Sequence, residues 1–228
     1  MNEEATQPAA QDVRAVVRTL ESHYHSASTL EATFLERYSE GGRVVRVESG
    51  IVYFRRPGRM RWQYDSPEEK LFLADGKNVW FYVPADRTVT RARMSESTDW
   101  RTPLAVLTGR ARLARLCSRI EFTDEFRPAA GRVVLRCQPR GEAAPTKGRG
   151  AALREAEEPR GFHEVFLEVD PQSGELARVV IRQSAGVELD FRFGNWQENL
   201  ALPETMFRFQ PPVGVAIVEE SAVGRPSP

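Results

Sequence analysis

The sequence predicts a predominantly antiparallel β protein forming one large domain, opened by a single amphipathic helix and interrupted midway by short helices. Three observations carry that prediction. From about Leu30 onward, short runs rich in aromatic and β-branched residues replace helical periodicity. Turn signals separate those runs roughly every eight to twelve positions. The length, 228 residues, is one at which all-β barrels fold as a single unit around one core.

The opening helix spans about Asp12 to Tyr24, with Val13, Val16, Val17, Leu20 and Tyr24 at helical spacing and Asp12 available as its N-cap. Strands are expected at 29–40, 43–56, 59–65, 70–75, 78–84 and 87–92, in a meander with tight turns at Gly41-Gly42 and Asp75-Gly76. Asp75-Gly76 reads as a type I′ turn, because it lies between Leu71-Phe72-Leu73 and Val79-Trp80-Phe81-Tyr82. The pattern breaks at Ser95-Glu96-Ser97-Thr98-Asp99, and Pro103 then suits the first position of one or two short helices reaching about Leu116. Strands resume at 119–123, 132–138, 162–170, 176–183 and 186–194, and close with Phe207-Arg208-Phe209. Residues 139–160 are rich in Gly, Pro, Ala and charge and read as a mobile loop, with a flexible start at 1–11 and a disordered tail at 220–228. The folded domain is therefore 12–219.

Basic and acidic residues balance at 32 each, so no overall positive field exists to attract nucleic acid or an anionic bilayer. Lys70, Lys77 and Lys147 are the only lysines, and the arginine excess reads as a compositional bias. No apolar run approaches the roughly 20 residues that cross a bilayer, and Met1 to Gln11 lacks the apolar centre of a leader peptide. An exported form is expected to have lost its leader ahead of this start. Cys117 and Cys137 permit one disulfide across a hairpin that turns at Pro128-Ala129-Ala130-Gly131, or two free thiols, and lack the paired spacing of a zinc site.

Nothing in the sequence calls for catalysis. His23 and His25 flank Tyr24 on different sides of the helix, and His163 and Glu164 point to opposite faces of a strand, so neither pair suits shared metal ligation or acid/base work. No nucleophile elbow or phosphate-binding glycine loop is present. No catalytic residue, metal or cofactor is expected.

Alternation places Val52, Phe54 and Arg56 on one face of their strand, and Met60, Trp62 and Tyr64 on one face of the next. If the sheet curls with Met60 and Trp62 inward, its concave side is apolar, Leu73 joins the same wall, and the helices around Leu104 and Leu107 cover it. Periodicity does not separate such a hollow from a filled core.

Four blocks then carry a family likeness. Arg56-Pro57-Gly58-Arg59-Met60-Arg61-Trp62, Asp75-Gly76-Lys77-Asn78-Val79-Trp80-Phe81-Tyr82, Thr102-Pro103-Leu104 and Phe207-Arg208-Phe209-Gln210-Pro211-Pro212-Val213-Gly214-Val215 follow the order and near-spacing of the LolA outer-membrane lipoprotein carriers, and the chain resembles them over about residues 12 to 219. The resemblance implies an unclosed antiparallel β-barrel of about eleven strands with a helical lid, acting in the periplasm. It implies lipoprotein acyl chains as cargo, an inner-membrane lipoprotein-releasing ABC transporter as donor and an outer-membrane lipoprotein acceptor; the expected state is a monomer. By the resemblance, Arg56 is the lid latch, bonded to backbone carbonyls, and Met60 replaces a bulky apolar residue of the wall. The expected cavity residues are Val52, Phe54, Met60, Trp62, Leu73, Leu104 and Leu107. Without the resemblance, Arg56 reads as a surface residue at a strand end. The same scaffold serves phospholipid or glycolipid carriers, and a lipid-ester hydrolase is the remaining alternative.

Overall fold

The computed structural model describes residues 12–93, 112–140 and 162–219. The expectations for 1–11, for Pro103, Leu104 and Leu107, for the loop beyond residue 140 and for the tail after 219 lie outside the described residues.

Helix α1 is Val13–Ser26, and its start is set by Asp12, whose carboxylate accepts a hydrogen bond from the Arg14 amide at 2.9 Å. A helix this short gains little from propensity alone, so its stability comes from docking. Val16, Leu20 and Tyr24 are its buried face, each removing apolar surface from water to a gain of about 2 kcal/mol. The Tyr24 hydroxyl accepts from the Leu176 amide at 2.9 Å. Burial, the largest influence on that phenol, drives its pKa far above the ordinary value.

The strands are β1 Thr29–Glu40, β2 Arg43–Arg55, β3 Arg59–Ser66, β4 Lys70–Ala74, β5 Asn78–Val83, β6 Thr88–Arg93, β7 Cys117–Phe122, β8 Val133–Pro139, β9 Phe162–Val169, β10 Leu176–Gln183, β11 Val187–Glu198 and β12 Ala216–Glu219, with helix α2 at Leu113–Leu116. They form one sheet in the order β12-β6-β5-β4-β3-β2-β1-β11-β10-β9-β8-β7. Every pairing is antiparallel except that of β12 with β6. The end strands β12 and β7 do not pair, so the sheet is unclosed.

The sheet is strongly curled. Trp62 on β3 and Phe191 on β11 stand three strand positions apart, roughly 14 Å across a flat sheet. Their ring centroids nevertheless lie 5.5 Å apart. Inward residues from most strands of the sheet and the apolar stripe of α1 merge into one buried cluster. The turn between β9 and β10 lies against α1 at Gly174, where φ is +81° and a Cβ would stand 2.7 Å from the Thr19 carbonyl oxygen, so only glycine allows this approach.

Twelve strands are present where about eleven were expected. The addition is β12, four residues pairing in parallel with β6, a connection that leaves no hairpin signature in the sequence. Phe207-Arg208-Phe209 is not the closing strand. Phe207 ends a 3-10 turn, Glu204–Phe207, and Phe209 and Val215 pack with Leu73, Trp80 and Val89 on the convex face. Outward arginines on β2 and β3 hold this strap: Arg55 donates to the Leu202 carbonyl at 2.7 Å, Arg61 to the Met206 carbonyl at 3.2 Å, and Arg59 pairs with Glu204 at 2.8 Å.

Asp75-Gly76 turns the chain as expected, but not as a type I′ turn, because Gly76 alone has positive φ there. The Asp75 side chain organises the turn. Burial, the largest single influence on its carboxyl, opposes ionisation, but hydrogen bonds from the Asn78 and Lys77 amides, the Trp80 indole and the Asn78 side chain outweigh it and hold the pKa below the ordinary value. Gly41-Gly42 has positive φ at both positions, as a two-residue hairpin requires.

Cys117 and Cys137 form a disulfide across the β7–β8 hairpin, with Cα atoms 5.5 Å apart. The two cysteines are 20 residues apart in sequence, a loop whose closure stabilises by about 3 kcal/mol. The double substitution Cys117→Ser, Cys137→Ser is expected to lower the unfolding free energy by about that amount, read from urea denaturation of parent and variant. Asp75→Ala is expected to cost about 1–2 kcal/mol at neutral pH by leaving the turn donors without their acceptor. Because the folded-state pKa of Asp75 is depressed, its contribution is complete above the unfolded-state value, and the gap between parent and variant narrows as pH falls below about 4. An unchanged gap at acid pH in denaturation curves contradicts the assignment.

Candidate functional site

The concave face of β2 and β3 brings together four of the residues singled out in the sequence. Val52 stands opposite Trp62 and Phe54 opposite Met60, and all four are buried. The register follows from alternation: with Trp62 and Met60 inward, Arg59, Arg61 and Gln63 are left for the convex face. Trp62 sits at the centre of an aromatic group, with ring centroids 4.8 Å from Phe34, 6.1 Å from Phe54 and 5.5 Å from Phe191. Trp196 closes one side, 5.4 Å from Tyr24 on α1, its indole donating to the Leu176 carbonyl at 2.8 Å.

Leu73 is a correction. Trp62 pairs with Phe72 and Met60 with Ala74, so Phe72 and Ala74 face inward and Leu73 faces the opposite side, against Trp80 and Val89. The run Leu71-Phe72-Leu73-Ala74 is apolar on both faces, because the C-terminal strap covers the convex side, and its parity is therefore unreadable from the sequence. Phe34, Phe72 and Phe191 belong to the inward wall and were missed. The alternation Leu30, Ala32, Phe34 along the first strand carried the signal for one of them.

The wall changes character along β1 and β2. Beyond Phe34 and Gly50 come Glu36 and Glu48, directly opposite each other and both buried. The Tyr64 hydroxyl donates to Glu36 at 2.8 Å, while Glu48 accepts from Lys70 at 2.6 Å and pairs with Arg46 at 2.9 Å. Pairing of this kind compensates for burying a carboxylate. The concave face thus has an apolar end, where α1 and Arg56 lie, and a charged end near the β1–β2 turn.

Arg56 follows β2 directly. Its Nη1 donates to the His25 carbonyl in the last turn of α1 at 2.6 Å, and its amide donates to the Ser28 carbonyl at 3.1 Å. Among the described residues, Nε and Nη2 are buried and find no hydrogen-bond partner. Burial pushes the guanidinium below its ordinary pKa. The described contact is therefore with α1, whereas Leu104 and Leu107, in the expected lid, lie outside the described residues. A second tie was not anticipated: the Glu21 carboxylate of α1 accepts from the Leu113 amide at 2.8 Å, at the first residue of α2.

Helix α1 packs its apolar stripe into the same buried cluster as the wall, with Tyr24 against Leu176 of β10 and Trp196 of β11. Two recesses among the described residues lie elsewhere. One is an open groove beside Ala15, Arg18, Thr19, Ser22, His23 and Ser173, and the other is a crevice between Phe126, Phe166 and Arg178 too narrow to admit a water molecule. Among the described residues, no cluster of His, Cys, Asp or Glu has the arrangement of a metal site. His163 meets the Ser184 hydroxyl at 3.0 Å rather than Glu164, whose carboxylate pairs with Arg136 and Arg182. Among the described residues, no helix is long and apolar enough to cross a membrane.

The family model described as outer membrane lipoprotein carrier protein LolA matches residues 25–139. An outer-membrane lipoprotein carrier protein of Nitrosomonas europaea is 28% identical over 207 residues, covering 90% of each chain. One of Methylococcus capsulatus is 28% identical over 203 residues, covering 88% of this chain and 86% of its own. A crystal structure of an uncharacterized conserved protein from Thermus thermophilus superposes with a TM-score of 0.54 at 14% identity, covering 92% of this chain and all of that one, which is a likeness of fold. With the family model spanning half of its length, including the β2–β3 wall and Arg56, the chain belongs to the LolA family.

Proposed function

We propose that the chain is a non-enzymatic periplasmic carrier that holds the acyl chains of lipoproteins against the concave face of its sheet and moves them from the inner to the outer membrane. The carrying observation is that Val52, Phe54, Met60 and Trp62 gather as an apolar wall on the concave face of an unclosed sheet and share one buried cluster with the apolar stripe of α1. The relatives named as outer-membrane lipoprotein carriers support the same cargo. An inner-membrane ABC transporter is the donor in this reading, and an outer-membrane acceptor the recipient.

Transfer of an acyl chain from water gains about 0.8 kcal/mol per CH₂, so an unopposed apolar cleft would hold its cargo too tightly to release it. Helix α1 supplies the opposition. Val16, Leu20 and Tyr24 share the buried cluster with the wall, and cargo that displaces α1 exposes them, which subtracts from the net affinity. Hydrocarbon takes the apolar end of the face, since Glu36 and Glu48 make the other end unsuitable for it.

Arg56 and Glu21 set the balance between the two states. A buried guanidinium costs several kcal/mol unless its donors are matched. Nη1 has the His25 carbonyl, and among the described residues Nε and Nη2 have no acceptor. Opening α1 breaks the Arg56–His25 and Glu21–Leu113 bonds together.

Arg56→Leu is expected to favour the open, loaded form and to slow hand-over of lipoprotein to the acceptor severalfold, measured as transfer between purified membranes; equal rates for variant and parent count against the latch. Mass spectrometry of the protein extracted natively from bacterial envelopes is expected to find acylated lipoprotein. Free phospholipid or glycolipid alone in that preparation replaces the cargo assignment, and released fatty acid points instead to a hydrolase.

A further inference from the structure

The β1–β2 hairpin extends beyond its neighbour on one side. β2 pairs with β1 from Arg43 onward but with β3 only from Ser49, opposite Ser66, so residues 43–48 stand clear of the sheet on that edge. The tip is not loose, because the Gly41 amide donates to the Gly186 carbonyl at 3.0 Å and β1 pairs with β11 as far as Glu40. Three of the exposed large apolar side chains among the described residues fall here: Val44 at 57%, Val45 at 61% and Val47 at 44% exposure.

A bulge gathers two of them on one face. Tyr38 stands opposite Arg46 but Ser39 opposite Val44, which leaves Val45 as the extra residue. Val47 stands opposite Arg37. Ser39 and Arg37 share a face by the two-residue period, so Val44 and Val47 share it as well, although three apart in sequence. Phe34 and Glu36 have the other parity and are buried, so this is the convex face.

The charge around the valines is locally positive although the chain is neutral overall. Arg37, on the face of Val44 and Val47, and Arg43 are exposed and form no ion pair among the described residues, whereas Arg46, opposite Tyr38, turns to the other face, over the Tyr38 ring and against Glu48. The neighbouring carboxylates are engaged: Glu48 by Lys70 and Arg46, Asp190 by Arg178, and Glu188 by Arg182. Glu40 is the exposed acid, and it accepts from the Tyr38 hydroxyl at 2.6 Å.

We propose that this hairpin tip is a docking surface for an anionic lipid bilayer, with Val44, Val45 and Val47 entering the headgroup boundary and Arg37 and Arg43 meeting lipid phosphates. A firm protruding tip that combines apolar side chains with arginines suits the interfacial zone, where part of each side chain stays wet. A strand partner suits it less, because the bulge and the interspersed arginines disrupt regular edge pairing. Exposure, register and charge at the tip carry this proposal whether or not the concave face holds acyl chains.

Flotation with vesicles of phosphatidylethanolamine and phosphatidylglycerol tests it. Parent protein is expected to float with these vesicles at low salt and to lose most binding when phosphatidylglycerol is omitted or salt is raised. The triple variant Val44→Thr, Val45→Thr, Val47→Thr keeps β-branched side chains, so the hairpin folds while its apolar surface is lost. Vesicle binding by that variant, and by Arg37→Gln with Arg43→Gln, is expected to fall by about fivefold or more. Binding of a fluorescent fatty acid, which reads the concave face, is expected to be unchanged in both variants, so failure of the tip and failure of the carrier reading are told apart. No flotation of the parent, or equal flotation of parent and both variants, overturns the proposal. Hydrogen-exchange protection of residues 43–48 by a periplasmic protein fraction but not by vesicles also overturns it and makes the partner a protein.

Discussion

The central constraint is that a sheet curled this tightly must fill its own concavity. Trp62, Phe191 and Phe34 converge from strands that a flat sheet would keep well apart, and the inward residues of neighbouring strands crowd the same volume. A barrel closed on itself fills its interior from its strands alone. Here β12 and β7 leave the ring open, and an independent helix completes the packing. Burial of Leu20 and Tyr24 fixes that helix, and the core is divided between residues of the sheet and residues of the helix.

Polar contacts are distributed to match that division. The convex face is bound firmly: Arg55, Arg59 and Arg61 hold the C-terminal strap, Arg178 grips Asp190 through two nitrogens at 2.8 and 2.9 Å, and Arg178 and Arg182 lie over the Phe126 ring. On the helix side the described polar ties are fewer. Arg56 with His25, Glu21 with Leu113 and Tyr24 with Leu176 hold α1 in place. The hairpin joining β2 to β3 belongs to both systems, since Arg55 and Arg59 reach the strap while Arg56, one residue along, reaches the helix.

Much of this was legible from pattern alone, and the failures have specific causes. The helix, the meander from β1 to β6 and the inward placement of Val52, Phe54, Met60 and Trp62 follow from periodicity, because one face of each element is solvated or charged. Leu73 was misplaced because a strand apolar on both faces has no readable parity. β12 escaped notice because a four-residue parallel edge strand has neither hairpin turn nor alternation to announce it. The Asp75-Gly76 turn was located correctly and its type was not, since a side chain accepting from four donors replaces the backbone geometry that the dipeptide favours. The resemblance singled out Arg56 as a latch, but its carbonyl on α1 is a tertiary contact across 31 residues that local pattern does not encode.

The gap between β12 and β7 also governs size. In a closed barrel, strand number and stagger together fix the diameter, and a wider bore requires rupture of the ladder. A split ring is free of that rule: small changes of twist shared among many strand pairs alter its girth while each pair keeps its register. One unaltered hydrogen-bonded scaffold can thus grip contents of unequal bulk.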